Sequence, residues 1–384
     1  GKVLEKKVHH LSWSPLMAEK SGFKHFMLKE IFEQPQVVRD TLKGRVSLDS
    51  GKICLDEIGV SPELFKKTER VVIIACGTSY HAGLVGKYLI EAMAQIPVDI
   101  EFASEYRYRD FILDKKALVI VISQSGETAD SLAALRIIKE KKPLTLSICN
   151  AVNSSIARET DGVLYTHAGP EIGVAATKTY SAQMVALVLL AMHLAQIKGR
   201  IDEKASLALI EELGRIPHKM EKILNQAKSI EDLASKFVSF SHFLYLGRGV
   251  SFPVALEGAL KLKEISYIHA EAYPGGEMKH GPIALIDENM PTMAIVPRDR
   301  VYDKMLSNIS EIKARIGYIL AVASEDDEEI EERVDKVIPV PSTEPLFTPF
   351  LTTLPLQLFA YYIGAMRGAD VDQPRNLAKS VTVE

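Results

Sequence analysis

Directly after the apolar run 118–122 come Ser123, Gln124, Ser125, Gly126, Glu127 and Thr128: three hydroxyls, two polar side chains and one glycine. A strand that ends there and hands over to a helix leaves backbone N–H groups free at the helix start. Those groups, with the hydroxyls and the helix dipole, suit an anion, and Gly126 lets the backbone come close to it. The same letters also read as plain helix capping, since Ser or Thr followed by Glu is a common helix start. A second hydroxyl-bearing strand end, Gly77, Thr78 and Ser79, follows the run 71–75. Two such ends on one rim favour a phosphate site. Neither has the Gly-x-Gly-x-x-Gly spacing of a dinucleotide fold or the Lys of a P-loop.

Acid–base chemistry is available further along. Glu257, Lys261 and Glu264 are spaced by four and three, which puts them on roughly one helical face. An exposed ion-pair ladder has the same spacing. Here the neighbours Ala255, Leu256, Ala259, Leu260 and Leu262 leave little of the helix polar. Charges set among apolar residues suit proton transfer. Residues 274–282, rich in Gly and Pro, present one imidazole, His280, in a loop stiff enough to hold it. The chain closes on Leu377, Ala378, Lys379, Ser380, Val381, Thr382, Val383 and Glu384. These apolar side chains predict a tail that docks onto the protein instead of staying in water, with Pro374 stiffening its entry.

The elements that position these residues alternate. Short apolar runs at 71–75, 118–122 and 144–148 are separated by helical patterns. Fully apolar strands between helices predict a parallel sheet covered on both faces. The grammar then repeats: a strand at 243–246, a glycine turn at 247–251, a helix at 254–265, and strands at 293–296 and 319–323. Gly77 falls on Gly249 and Ser79 on Ser251, and the two later strand pairs match at one common offset. The reading is a duplicated α/β chain. Before it, Met27, Ile31, Val38 and Leu42 share a helical face that Pro35 is expected to interrupt and that ends near Gly44.

Composition agrees. The 384 residues are 47% apolar and 25% charged with a net charge of −4, so no basic footprint marks a nucleic-acid protein. Cys54, Cys76 and Cys149 are too few and too scattered for a disulfide framework or a zinc cluster, and a reducing, cytoplasmic setting is expected. The apolar run 184–190, closed by His193 and Gln196, reads as too short for a membrane span. The start has neither an initiator Met nor a signal-peptide core, so Gly1 is not expected to be the natural beginning, and residues 1–24, polar and mixed in charge, read as a linker or the torn end of a preceding domain.

These motifs resemble one family. Residues 75–80, 123–128, 169–175, 255–271, 279–282 and 372–384 are similar to the C-terminal isomerase part of the glutamine–fructose-6-phosphate aminotransferase (glucosamine-6-phosphate synthase) family. The Ser-Gln-Ser-Gly-Glu-Thr stretch is shared by many sugar-isomerase domains, whereas the tail 373–384 is far more specific. The resemblance implies two flavodoxin-like αβα sugar-isomerase (SIS) domains over 25–217 and 218–366. A linker remnant at 1–24 and a catalytic tail at 367–384 would flank them. It implies fructose 6-phosphate as substrate and ammonia from an N-terminal glutaminase domain that this chain lacks. A homodimer sharing its sites would result, with no metal or organic cofactor, no nucleic acid and no membrane. Substrate would lie on Gly77, Thr78, Ser79, Ser123, Gln124, Ser125, Thr128, Val174, Ala176 and Ala378. Lys379 would form the imine, Glu264 would move the proton, and Lys261 and Glu257 would orient or polarise the sugar. His280 would open the ring from the neighbouring subunit. The family usually has Ser where this chain has Ala176, which removes one polar contact near the sugar. Two rivals share the fold: a stand-alone aminosugar-phosphate deaminase or isomerase, and a sugar-phosphate-sensing module without catalysis.

Overall fold

The computed structural model describes residues 19–383; Trp13, Pro15, the body of the 1–24 linker and Glu384 lie outside them. Two parallel five-stranded sheets carry the chain. The first is built from β1 (Arg70–Ala75), β2 (Val98–Phe102), β3 (Ala117–Ser123), β4 (Leu144–Cys149) and β5 (Gly162–Tyr165), in the order β2-β1-β3-β4-β5. The second uses β6 (His242–Gly247), β7 (His269–Pro274), β8 (Thr292–Val296), β9 (Ile319–Ser324) and β10 (Lys336–Val340), in the order β10-β9-β8-β6-β7. Counted within each half, both orders are 2-1-3-4-5, the flavodoxin-like arrangement. The duplication expected from the repeated strand grammar is therefore present as two sheets of identical topology.

Seven helices position the site. They are α1 (Phe26–Leu42), α2 (Gly77–Ala94), α3 (Ala129–Lys139), α4 (Lys178–Ile197), α5 (Glu203–Leu224), α6 (Ser251–Ser266) and α7 (Thr348–Met366). Helix α2 packs on α4, α6 packs on α7, and α2 meets α6, which joins the two halves. Helix α5 runs through position 217, with contacts to both α1 and α7. Central strands are apolar on both faces because helices cover both. Val71, Ile73, Ile120, Ile148, Met293 and Val322 are all closed to solvent, each such side chain contributing roughly 1.5–3 kcal/mol.

Two expectations need correction. Pro35 does not interrupt α1, which runs through it. The N–H that proline lacks would have bonded the carbonyl of Ile31; the Gln34 side-chain amide bonds that oxygen instead, at 3.2 Å. Gln34 also donates to Gln357 of α7 and accepts from Ser181 of α4, so the proline turn is stitched to both central helices. Second, the apolar run around 184–190 is part of a longer element. Two stretches, Lys178–Ile197 and Pro345–Met366, are long and apolar enough to cross a membrane by length and composition. Both are mostly buried inside the protein, as expected for core helices packed among other helices and against one sheet.

Candidate active site

The first sheet reverses its winding between β1 and β3, which pair directly along Arg70–Ile74 and Ala117–Val121. Ligands of open α/β sheets bind beyond the strand ends at such a reversal. Gly77, Thr78 and Ser79 leave β1 at this point as the first turn of α2, and residues 123–128 leave β3 beside them. The hydroxyls do not cap the next helix: Thr128 makes no side-chain cap, and its Oγ1 lies 3.0 Å from Ser123 Oγ. Ser123 Oγ accepts from Gly126 N and Ser125 Oγ from Glu127 N, so both hold the loop in shape. Glu127 turns away to accept from Ser155 N. Gly126 sits at φ +64° against Ser154, whose Oγ would be 1.9 Å from any Cβ there. Only glycine fits that turn. Ser79 Oγ accepts from Gln183 of α4, and Gln124 and Ser125 are half-buried on the rim.

The second half meets this rim through α6. Glu257 and Lys261 are fully buried, while the Glu264 side chain keeps 20% exposure. Lys261 Nζ stands 3.4 Å from Glu257 Oε1 and 2.6 Å from Glu264 Oε2. Both contacts are ion pairs inside the protein, the one to Glu264 the shorter. Lys261 also donates to Thr78 Oγ1 at 3.0 Å, and Thr78 donates onward to Glu257 Oε1 at 3.1 Å. His81 Nδ1 lies 2.8 Å from Glu257 Oε2. Burial alone would push the Glu257 carboxyl up, but Lys261, His81 and Thr78 outweigh it and hold it below the usual range. Burial likewise works against the Lys261 ammonium, and the two glutamates overcome it and raise its pKa. The face seen in the sequence is thus a buried charge line that ends at one partly open carboxylate.

The tail completes the site. Lys379 Nζ is held by Glu171 Oε2 at 2.5 Å and by the Gly173 carbonyl at 2.8 Å. Two residues on, the Val381 carbonyl accepts from Ala129 N, at the first turn of α3. Val174 N donates to the Asp372 carbonyl, tying the 169–177 loop to the tail. Ala176 is half-buried in that loop, and Ala378 is exposed beside Lys379. The tail does dock: Val371 is buried in the core and Pro374 is buried, whereas Leu377, Val381 and Val383, the apolar letters nearer the end, are exposed. Polar contacts and the stacking of Arg375 on Tyr267 hold that later stretch. His280 is not brought in. It is exposed on the short helix Gly275–His280, and among the described residues no hydrogen bond or ion pair joins it to Glu264 or Lys379.

Sequence reasoning missed His81 and Glu171. A lone His one turn into α2 carries no signal of its own. Glu171, a single charge among glycines and apolar residues, was visible as an oddity. Among the described residues no group of three His, Cys, Asp or Glu side chains is placed to hold a metal.

Known proteins share this fold. The SIS domain model matches residues 63–193 and 236–367, the two sheets in turn. The chain belongs to the SIS domain family. Among curated relatives, this SIS chain is 54% identical over 381 residues to glutamine–fructose-6-phosphate aminotransferase (isomerizing) of Chlorobaculum tepidum, covering 99% of this chain and 62% of that protein. The enzyme of the same name from Aquifex aeolicus is 53% identical, with 100% and 62% covered. The chain thus spans about three-fifths of the length of these relatives. A solved structure, the C-terminal domain of glucosamine-fructose-6-phosphate aminotransferase from Francisella tularensis, superposes with a TM-score of 0.88 at 44% identity, covering 92% of this chain and 100% of that one.

Proposed function

We propose that this chain is the isomerase part of a glutamine–fructose-6-phosphate aminotransferase. It takes fructose 6-phosphate and, with ammonia supplied by a glutaminase domain, releases glucosamine 6-phosphate and water. Without ammonia it interconverts fructose 6-phosphate and glucose 6-phosphate. The observation that carries this reading is the seat of Lys379. An amine on the tail lies beside the loop at 171–173, while the tail itself caps α3 on the phosphate rim.

In this reading the phosphate rests on Ser79, Ser123, Gln124, Ser125 and Thr128, against the N-terminal turns of α2 and α3. Lys379 forms an imine at C2 of the opened sugar, and ammonia then displaces it. Glu264 takes the proton from C1 and returns it to C2, which moves the carbonyl to C1. Lys261 and Glu257 hold Glu264 in place, and Thr78 links them to the phosphate rim. Two chains pair so that His280 of one serves the ring oxygen bound by the other, as its exposed loop allows.

The deciding assay gives the chain fructose 6-phosphate with and without ammonia and measures both products. Glucose 6-phosphate without ammonia and glucosamine 6-phosphate with it are expected; neither product would end the proposal. Hydrogen bonds to a charged group contribute roughly 1.5–3 kcal/mol, so Ser125→Ala should weaken fructose 6-phosphate binding about tenfold or more, read by calorimetry. Unchanged affinity in Ser123→Ala, Ser125→Ala and Thr128→Ala together would return the motif to loop support. For the shared site, His280→Ala and Lys379→Ala chains should each be inactive alone. Mixed after partial unfolding, they should recover up to about a quarter of wild-type activity, because hybrid pairs hold one intact site. Hybrids that stay silent would place His280 and Lys379 of one site on the same chain.

A further inference from the structure

The seat of Lys379 is more elaborate than holding a charged tail requires. Glu171 is fully buried and accepts four hydrogen bonds. Thr177 N and Thr179 N bond its Oε1, and Thr179 Oγ1 and Lys379 Nζ bond its Oε2. Behind it on α1 lies a second buried carboxyl, Glu30, which belongs to neither SIS-matched stretch. Glu30 Oε1 accepts from Ile172 N at 2.5 Å and Gly173 N at 3.2 Å, the backbone segment whose Gly173 carbonyl is the second acceptor for Lys379. Glu30 Oε2 has no partner. It approaches so closely that a Cβ at Gly173 would stand 2.9 Å from it. The same knot is closed from the tail: Asp372 accepts from Phe26 N and Met27 N at the start of α1, and its carbonyl holds Val174 N.

We propose that Glu171 is the acid–base group for imine formation at Lys379, and that Glu30 is the positioning residue that holds the Glu171–Gly173 segment in place. The proposal rests on Lys379 being the imine-forming amine. An ammonium cannot attack a carbonyl. Glu171 Oε2, already in hydrogen-bond contact, takes one proton from Lys379 Nζ and leaves the nitrogen lone pair free. That pair forms the bond to C2, and the carbonyl oxygen becomes a hydroxyl by taking a proton from the same nitrogen. Glu171 then returns its proton to this hydroxyl, which leaves as water while the C=N bond forms. The iminium keeps the positive charge, and Glu171 ends as the carboxylate it was. No oxidant or other reactant is needed.

Glu30 and Glu171 are both buried, and the charge of each opposes ionisation of the other. Burial, followed by the charge of Glu171, pushes Glu30 up to about 8, so near neutral pH Glu30 is the protonated member. Burial acts upward on Glu171 as well, but Lys379 and the amides of Thr177 and Thr179 hold it below the usual carboxylate range. The seat is then neutral overall, with Glu171 as the member free to accept. The groups facing Glu171 are Glu30 from α1, Thr177 and Thr179 at the start of α4, Lys261 from α6, and Lys379 from the tail.

The test reads the rate at which borohydride traps the sugar on Lys379, across pH 6.5–8.5, with fructose 6-phosphate affinity as the check of folding. Wild type should give a nearly level profile. Glu171→Gln should be slower by about 100-fold or more at pH 7. Its rate should climb with pH, because hydroxide or a dissolved buffer base must now take the proton. Glu171→Asp should keep the level profile. Glu30→Gln, which mimics the neutral acid, should stay within about threefold of wild type. Glu30→Ala should slow trapping about tenfold or more with unchanged sugar affinity. A Glu171→Gln chain with wild-type rate and profile overturns the proposal. If that variant does not fold, Glu171→Asp decides: a level profile supports the assignment and a climbing one overturns it. A wild-type adduct missing, or mapped away from Lys379, instead brings down the imine reading itself.

Discussion

Lys379→Arg should bind fructose 6-phosphate and fail to turn it over, with a loss on the order of 10³-fold or more, the scale on which removal of a covalent nucleophile is felt. The substitution keeps a positive charge that can still face Glu171 and the Gly173 carbonyl, so the tail keeps its anchor. A guanidinium stays protonated at any working pH and offers no lone pair for an imine. The obvious competitor for the role is Lys261, which the geometry disfavours. Its ammonium is fully buried and faced by Glu257 and Glu264, whose charges outweigh burial and raise its pKa. An amine held that firmly in its charged form is a poor nucleophile. Lys379 has one carboxylate partner and a side chain 25% exposed, so a sugar can reach it. Borohydride reduction with fructose 6-phosphate, followed by peptide mapping, should find the adduct on Lys379. An adduct on Lys261, or an active Lys379→Arg chain, would move the nucleophile elsewhere.

What could be read in the letters follows from where each element sits. The six strands visible as apolar runs are β1, β3, β4, β6, β8 and β9, and each has neighbours on both sides. The four that were not visible, β2, β5, β7 and β10, are the edges of the two sheets. An edge strand is only partly covered, so its sequence mixes polar with apolar residues, as in Val98–Phe102 and Lys336–Val340. The charged face of α6 was legible because it joins residues three and four apart on one helix. The Lys379 seat was not, because it joins α1, the 169–177 loop and the tail, which are distant in sequence. Glu30, next to Lys29 and Glu33 on an amphipathic helix, looks like one more solvated charge; only the fold turns it inward. The tail misled in one respect. The apolar letters at 377–383 predicted docking by apolar contact, whereas main-chain carbonyls and one amine make the contact there, and the buried apolar anchor is Val371 at the tail's entry.

Glu264→Gln should lower turnover by about 10²–10⁴-fold while sugar binding and the Lys379 adduct survive. The substitution keeps the size and the amphipathic position of the side chain and removes the basic oxygen. Three features single out Glu264 from the other carboxylates of the site. Glu257 is sealed, with His81, Thr78 and Lys261 around it, and cannot reach a sugar. Glu171 is committed to the amine: its Oε2 is in contact with Lys379 Nζ, and its other bonds come from Thr177 and Thr179. Glu264 alone of the three is partly exposed, and its close polar partner is the Lys261 ammonium, 2.6 Å away, which steadies the carboxylate. A base that shuttles one proton between adjacent carbons needs that access, and it must face both carbons from one side of the intermediate. Binding and proton transfer should therefore separate cleanly: fructose 6-phosphate affinity within about threefold of wild type, and borohydride trapping intact. Exchange of the C1 hydrogen into solvent should be lost along with turnover. Measured by deuterium wash-in, retained exchange in Glu264→Gln would mean that a different group takes the C1 proton. Lost exchange together with lost trapping would mean that the charge line of α6 acts before the imine, on substrate binding or ring opening.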